Sequence, residues 1–184
     1  KEYDECEIID PTLLPEQKKK WHTCTFDPKD LFSAAEKMNK IQDQPYGGIP
    51  TIVYDQLNEL AKEQGITVLL EGQGLDELLG GYKYYELEHK KDVDRKKTDE
   101  QDATSLEYSQ DMTKLVDAKI LDKDFKEKFL NQKPKFNKPF KSHLLNAQYR
   151  DLCYAKLPRV LRFNDHVSMN YSRELRVPYL DHRI

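Results

Sequence analysis

Residues 51–72 place the strongest constraint on the fold. They read TIVYDQLNELAKEQG and then ITVLLEG, an amphipathic stretch followed by a continuous apolar run. Val53, Leu57, Leu60 and Ala61 recur at i, i+4, i+7 and i+8, Thr51 can cap the start, and Gly65 stops the pattern, which predicts a helix. Ile66 to Glu71 then run on without alternation, rich in β-branched and aliphatic side chains. That pattern predicts a strand buried on both faces of a parallel sheet. Helix, buried strand and glycines in this order predict an α/β fold.

The glycines raise a second expectation. The chain has 7 glycines in 184 residues, and 4 of them fall between Gly72 and Gly81, in EGQGLDELLGG. In α/β sheets ligands bind beyond the carboxyl ends of the strands. Gly72 and Gly74 come directly after the strand, where they let the backbone turn sharply and a ligand approach. Asp76 and Glu77 follow at the start of a short helix, where the helix dipole favours an acid by about 0.3–1 kcal/mol. Asp76 can therefore be a cap and no more, with Gly80 and Gly81 ending the helix, or it can be a binding residue. The spacing matches neither a GxGxxG nor a GxxxxGK[ST] phosphate loop.

Charge and cysteine usage narrow the function classes. A net charge of -3 argues against a sequence-independent nucleic-acid binder, which carries a basic excess on one face. No apolar run approaches the roughly 18 residues of a membrane helix. Cys6, Cys24 and Cys153 are odd in number and widely spaced, so they provide no disulfide framework, and a cytoplasmic location is expected. His22, His89, His143, His166 and His182 show no metal-ligand spacing.

The remaining segments divide the chain unevenly. HTCTF (22–26) reads as a short strand, Asp27 as the cap of a helix to about Asn39 with Leu31, Ala34 or Ala35, and Met38 on one face, and DQPYGGIP (43–50) as a loop. From Glu86 to Asp102, 12 of 17 residues are charged without an apolar face, the pattern of a solvated insertion. Helical pattern resumes from about Leu106 to Leu130, and NQKPKFNKPFK is a connection. Leu145, Tyr149, Leu152 and Cys153 share one face of a further helix, and Pro158 can open another. The expected division is residues 1–85 as part of an α/β nucleotide-binding core, 86–140 as a charged insertion and helical linker, and 141–184 as a helical part returning to the site.

A second cluster near the end gives the first one a context. Residues 158–184 read PRVLRFNDHVSMNYSRELRVPYLDHRI, with Asp165, Ser168, Met169, Ser172, Glu174, Arg176, Pro178 and Asp181 close together. Together with Glu71-Gly72-Gln73-Gly74-Leu75-Asp76-Glu77 and Gly80-Gly81-Tyr82, this resembles the synthetase domain of the asparagine synthetases. That family shows S-G-E-G-x-D-E-x-x-G-G-Y after a strand, and later D-x-x-S-M-x-x-S-x-E-x-R-V-P-F-L-D. The likeness covers residues 22–85 and 148–184.

The resemblance implies an adenine-nucleotide α-hydrolase-like fold, incomplete here. It implies a ligase that adenylates a carboxylate, typically aspartate, and passes ammonia from glutamine to it, giving asparagine, AMP and pyrophosphate. ATP and Mg²⁺ are the implied cofactors, with Asp76 as the magnesium ligand and the backbone of Glu71, Gly72 and Gly74 along the nucleotide. Gln73 and Arg176 take the implied catalytic positions; Arg176 can equally be an ion-pair brace with Glu174 or Asp181. The family's S-G-G-x-D-S pyrophosphate loop, its glutaminase domain and a late lysine are expected outside these 184 residues. The chain, which opens on Lys1, therefore reads as part of a longer protein that would not turn over alone. A homodimer is one assembly to test.

Three positions depart from the family pattern. Gln73 stands where the family has glutamate, and an amide cannot accept the proton released when ammonia attacks; such help is worth about 10²–10⁴-fold. Glu71 replaces a small serine, and Gln44 stands where many members have glutamate. Two alternatives stay open: a sister amide ligase acting on another carboxylate, such as a sugar acid or a β-amino acid, and a degenerate nucleotide-binding scaffold.

Overall fold

The structure is a computed structural model that describes residues 9–94, 122–129 and 136–183. Among these residues the chain is mostly helical. Short turns of 3₁₀ helix and helix α1 (Pro15–Lys18) lead into α2 (Leu31–Gln42), α3 (Ile49–Glu63), β1 (Val68–Leu70), α4 (Leu75–Leu79) and α5 (Lys83–Val93). Helices α6 (Lys123–Phe129), α7 (His143–Cys153) and α8 (Leu157–Asn170) precede β2 (Glu174–Arg176). β1 and β2 pair in parallel, Val68 with Glu174, Leu69 with Leu175 and Leu70 with Arg176. The parallel pair and flanking helices agree with an α/β arrangement.

Two apolar centres hold the helices. In the first, α2, α3 and α8 meet around Met38, Ile52 and Val167, all nearly solvent-free, with Leu31, Ala34 and Ala35 packed alongside. This is the α2 face read from the sequence. In the second, α5 and α7 meet around Tyr82, Tyr84, Tyr85 and Ala147. α8 runs between the two groups and also packs on β2.

Several expectations are corrected. The segment 22–26 forms no strand, because none of its backbone groups finds a partner strand among the described residues. Asp27 caps a 3₁₀ turn, accepting from the Lys29 N–H, and α2 proper runs on to Gln42. α3 begins at Ile49 with Gly48 as its cap, so Thr51 lies inside the first turn. Its buried face is Thr51, Ile52, Asp55, Asn58 and Ala61, while Leu57 is 45% exposed. Polar partners decide that rotation. Lys37 Nζ lies 2.7 Å from Asp55 Oδ2 and 2.7 Å from the Tyr171 hydroxyl, tying α2, α3 and the end of α8 together.

β1 is not sheltered on both faces. Val68 and Leu69 are half-buried and Leu70 is 72% exposed, because α8 covers β2 and no helix closes over the end of β1 among the described residues. α7 likewise turns the opposite way from its apolar pattern. It buries Ala147, Arg150 and Asp151, while Leu145 and Cys153 face solvent. The buried carboxylate of Asp151 takes hydrogen bonds from Tyr84 and Tyr85, at 2.9 and 3.0 Å, and fixes that face inward.

The boundary expected at residue 85 falls inside α5. Residues 83–93 form a packed helix whose Glu88 is 1% exposed, beside Lys91 at 3.1 Å. Asp92 at its end caps α7, accepting from the Ser142 hydroxyl and from the His143 and Leu144 amides at 2.6, 2.6 and 3.1 Å. Charge alone concealed this helix, because its apolar contacts come from tyrosines at one end only. Cys6, residues 95–102 of the charged segment and residues 106–121 of the expected helical pattern lie outside the described residues.

Candidate functional site

The turn after β1 carries the sequence-predicted site. The Glu71 amide donates to the Arg176 carbonyl at 2.9 Å, extending the ladder by one residue before the chain leaves the sheet. Gly74 then adopts φ +97°, and a Cβ on it would lie 2.3 Å from Leu180 Cδ2. Glycine is required there both by the left-handed backbone and by the 3₁₀ turn Pro178–Leu180 seated against it. The two motifs of the sequence, distant by a hundred residues, meet at this contact.

α4 places Asp76 and Glu77 in its first turn. The amides of Gly80 and Gly81 both donate to the Asp76 carbonyl at 2.9 Å, so the helix closes after one turn. A Cβ on Gly81 would lie 2.1 Å from Asp76 Oδ1, so the chain returns directly against the carboxylate. Asp76 itself is exposed, and Glu77 beside it is 4% exposed. Glu77 accepts from the Tyr82 hydroxyl at 2.9 Å and braces the turn. Adjacent carboxylates thus have different fates, one turned outward and one locked inside.

The side chains around this turn differ in what holds them. Glu71 Oε2 accepts from Asn164 Nδ2 of α8 at 3.0 Å. Burial, and then the neighbouring Glu71 carboxylate, push the Tyr54 phenol up, although its hydroxyl does not reach hydrogen-bond geometry. Gly72 and Gln73 lie between Glu71 and Gly74, Gly72 exposed and Gln73 half-buried. The Arg176 side chain is 60% exposed and bonded to Glu174 Oε1 at 2.7 Å, which is the surface brace, while its main-chain carbonyl holds Glu71. Asp181 pairs with Arg183. Ser168 is fully buried and its hydroxyl donates to the Asp165 carbonyl at 3.1 Å, a bond within α8. Asp165 is exposed beside a shallow recess lined by Leu161, Arg162, Leu175 and Val177.

Support from behind comes from α7 and the start of α8. Gln148 Nε2 donates to the Glu77 and Leu78 carbonyls at 2.8 and 3.1 Å, satisfying groups that a five-residue helix leaves open. Lys156 Nζ sits 3.0 Å from the centre of the Tyr82 ring. Burial pushes its amine down to about 8 from 10.5, although Glu77, Asp151 and Asp76 pull the other way. Arg150 bonds Asp151 through Nε and Nη2 at 2.9 and 3.0 Å. Sequence reasoning missed Asn164, Gln148 and Lys156, since nothing in their local patterns separates them from ordinary helix residues.

The exposed Asp76 carboxylate is a donor of the kind that suits magnesium. Asp76 offers a hard, exposed carboxylate at the carboxyl end of a parallel strand, and Mg²⁺ is commonly held by one or two carboxylates plus substrate phosphates. No group of three or more His, Cys, Asp or Glu capable of holding a metal by itself occurs among the described residues. No helix among them is long and apolar enough to cross a membrane. Against known proteins, the family model for asparagine synthase matches residues 7–184. No curated protein and no solved structure matches. With nearly the whole chain matched, and with both motifs meeting at one turn, the chain belongs to the asparagine synthase family, a family of ATP-dependent amide ligases.

Proposed function

We propose that this chain supplies part of the synthetase site of a glutamine-dependent ligase that converts aspartate to asparagine. The observation that carries it is the turn after β1, where exposed Asp76 lies against Gly81 and the Glu71–Gly72 backbone emerges at the end of the sheet. The fold we infer for the complete domain is adenine-nucleotide α-hydrolase-like, in a cytoplasmic protein. The substrate carboxylate attacks the α-phosphorus of ATP and pyrophosphate leaves. Ammonia then attacks the acyl carbon, AMP leaves, and one proton is released.

Each residue has a bounded role in this scheme. The main chain of Glu71, Gly72 and Gly74 lines the adenylate, where small residues let it approach. Asp76 would hold Mg²⁺, which supplies neutralisation of the phosphate charge when bound. Gln73 bears no charge and can orient the acyl group by hydrogen bonding, but it cannot take the proton from the attacking ammonia. Arg176 keeps the strand end in place through its carbonyl and its pairing with Glu174. Ammonia would come from a glutaminase domain, the pyrophosphate loop from elsewhere in the protein, and a homodimer is the assembly to look for.

Gln73 and Glu71 favour a second reading, a sister ligase for another carboxylate. Pyrophosphate release by the full-length protein with ATP, Mg²⁺ and ammonia, with and without aspartate, separates the two. Aspartate-dependent release with asparagine formed supports the first, and its loss in Asp76→Asn supports the metal assignment. ATP binding without aspartate-dependent release sinks the asparagine assignment and directs the same assay to sugar acids and β-amino acids. Binding of ATP with no release for any carboxylate leaves a scaffold.

A further inference from the structure

Glu71 stands where β1 ends and the nucleotide turn begins, and two helices converge on its side chain. From α8, Asn164 donates to Oε2 at 3.0 Å; from α3, Tyr54 lies beside the carboxylate with its hydroxyl unpartnered. Asn164 is 8% exposed and Glu71 half-buried, so this charge-assisted bond is shielded from water on its donor side. The donor is also rigid. α8 is tied down one residue earlier, where Gln42 Nε2 donates to the Phe163 carbonyl at 2.9 Å. It is tied again past its end, where the Tyr171 hydroxyl meets Lys37 at 2.7 Å. A side chain held on a fixed helix can therefore set the place of Glu71, where the glycine turn begins, while Leu180 holds the turn further on at Gly74.

We infer that Asn164 is a positioning residue for the nucleotide turn: it touches no substrate and acts through Glu71, fixing where the Glu71–Gly72 backbone leaves the sheet. The inference rests on the proposed nucleotide site. Replacing Asn164 by Asp keeps the volume, removes the donor and sets two carboxylates against each other. Replacing it by Ala removes the contact altogether.

The test is Mg-ATP binding by calorimetry on the full-length protein and on Asn164→Asp, Asn164→Ala, Glu71→Ala and the Glu71→Ala/Asn164→Ala double variant. Amide hydrogen exchange and thermal melting are read in parallel. Loss of a hydrogen bond to a charged group predicts binding weakened about tenfold in both Asn164 variants. Exchange rises at residues 71–75 while the amides of α8 are unchanged. In the Glu71→Ala background, Asn164→Ala adds less than about twofold, because the two residues form one unit. Asp serves if Ala melts early. A wild type that binds Mg-ATP, with folded Asn164 variants that bind equally well, overturns the inference alone. So does an effect of full size in the Glu71→Ala background. A wild type that binds no Mg-ATP overturns the nucleotide site and this inference together.

Discussion

Lys156 offers a quantitative check on how the site is supported. It is 9% exposed, its amine lies over the Tyr82 ring, and no carboxylate among the described residues is paired with it. Its amine falls from 10.5 to about 8, chiefly through burial. In the window between those two values the unfolded chain keeps the proton and the folded chain has released it. The unfolded state therefore binds more protons, and stability must rise with pH. At about 1.4 kcal/mol per pH unit the full effect is about 3 kcal/mol, of which about 2 kcal/mol accrues between pH 7 and 9.5. The measurement stops there because Tyr82, Tyr84 and Tyr85, whose phenols burial pushes up, add an opposite trend at higher pH. Lys156→Met keeps most of the side-chain volume and removes the titration. The assay is urea denaturation of both proteins across this range. The stability of wild type relative to Lys156→Met should climb by about 2 kcal/mol, or about 4–8 °C in melting temperature for a chain of this size. A difference that stays constant within about 0.5 kcal/mol would refute the claim that the amine is desolvated.

Three further outcomes test the architecture of the turn. Gly81→Ala puts a methyl group 2.1 Å from Asp76 Oδ1 and 3.2 Å from its Cα, so the carboxylate must swing aside and the turn backbone must give by a few tenths of an ångström. We expect pyrophosphate release to fall about 10²-fold while stability, followed by thermal melting, changes by about 1 kcal/mol or less. Gly74→Ala meets both a φ of +97° and Leu180, and should cost about 2–3 kcal/mol in urea denaturation, with Leu180→Ala in the same chain restoring part of the loss. Asp151→Asn leaves the 4%-exposed Arg150 guanidinium without its counter-charge, a loss of about 3–5 kcal/mol by the same measurement; a loss below about 1 kcal/mol would show that the buried cluster is dispensable.

How far the sequence could be read follows from which forces are local. The order helix, strand, glycine turn, short acidic helix was legible because turn chemistry and capping act over a few residues. Gly80 ends α4 and Pro158 opens α8 as their types demand. The family, too, was legible, since both motifs are contiguous in the chain. The rotation of α3 and α7 was not. Their buried faces are set by Asp55 and Asp151, whose partners Lys37, Tyr84 and Tyr85 come from other helices. A periodicity of apolar residues cannot register a carboxylate that becomes buried through partners contributed by other elements.

The same division runs through the site. The turn at Gly72 and Gly74 and the acid at Asp76 were legible in the chain because a sharp turn after a strand needs small residues and leaves an acid at the next helix start, whereas a binding role for them came only from the resemblance. Which carboxylate faces outward, and which is locked by Tyr82, was decided only in three dimensions. So was the fate of Arg176, paired with Glu174 at the surface, and of Glu71, held by Asn164 across 93 positions of sequence. Local backbone preference placed the turn, and long-range packing and hydrogen bonding chose which of its side chains remain free to act.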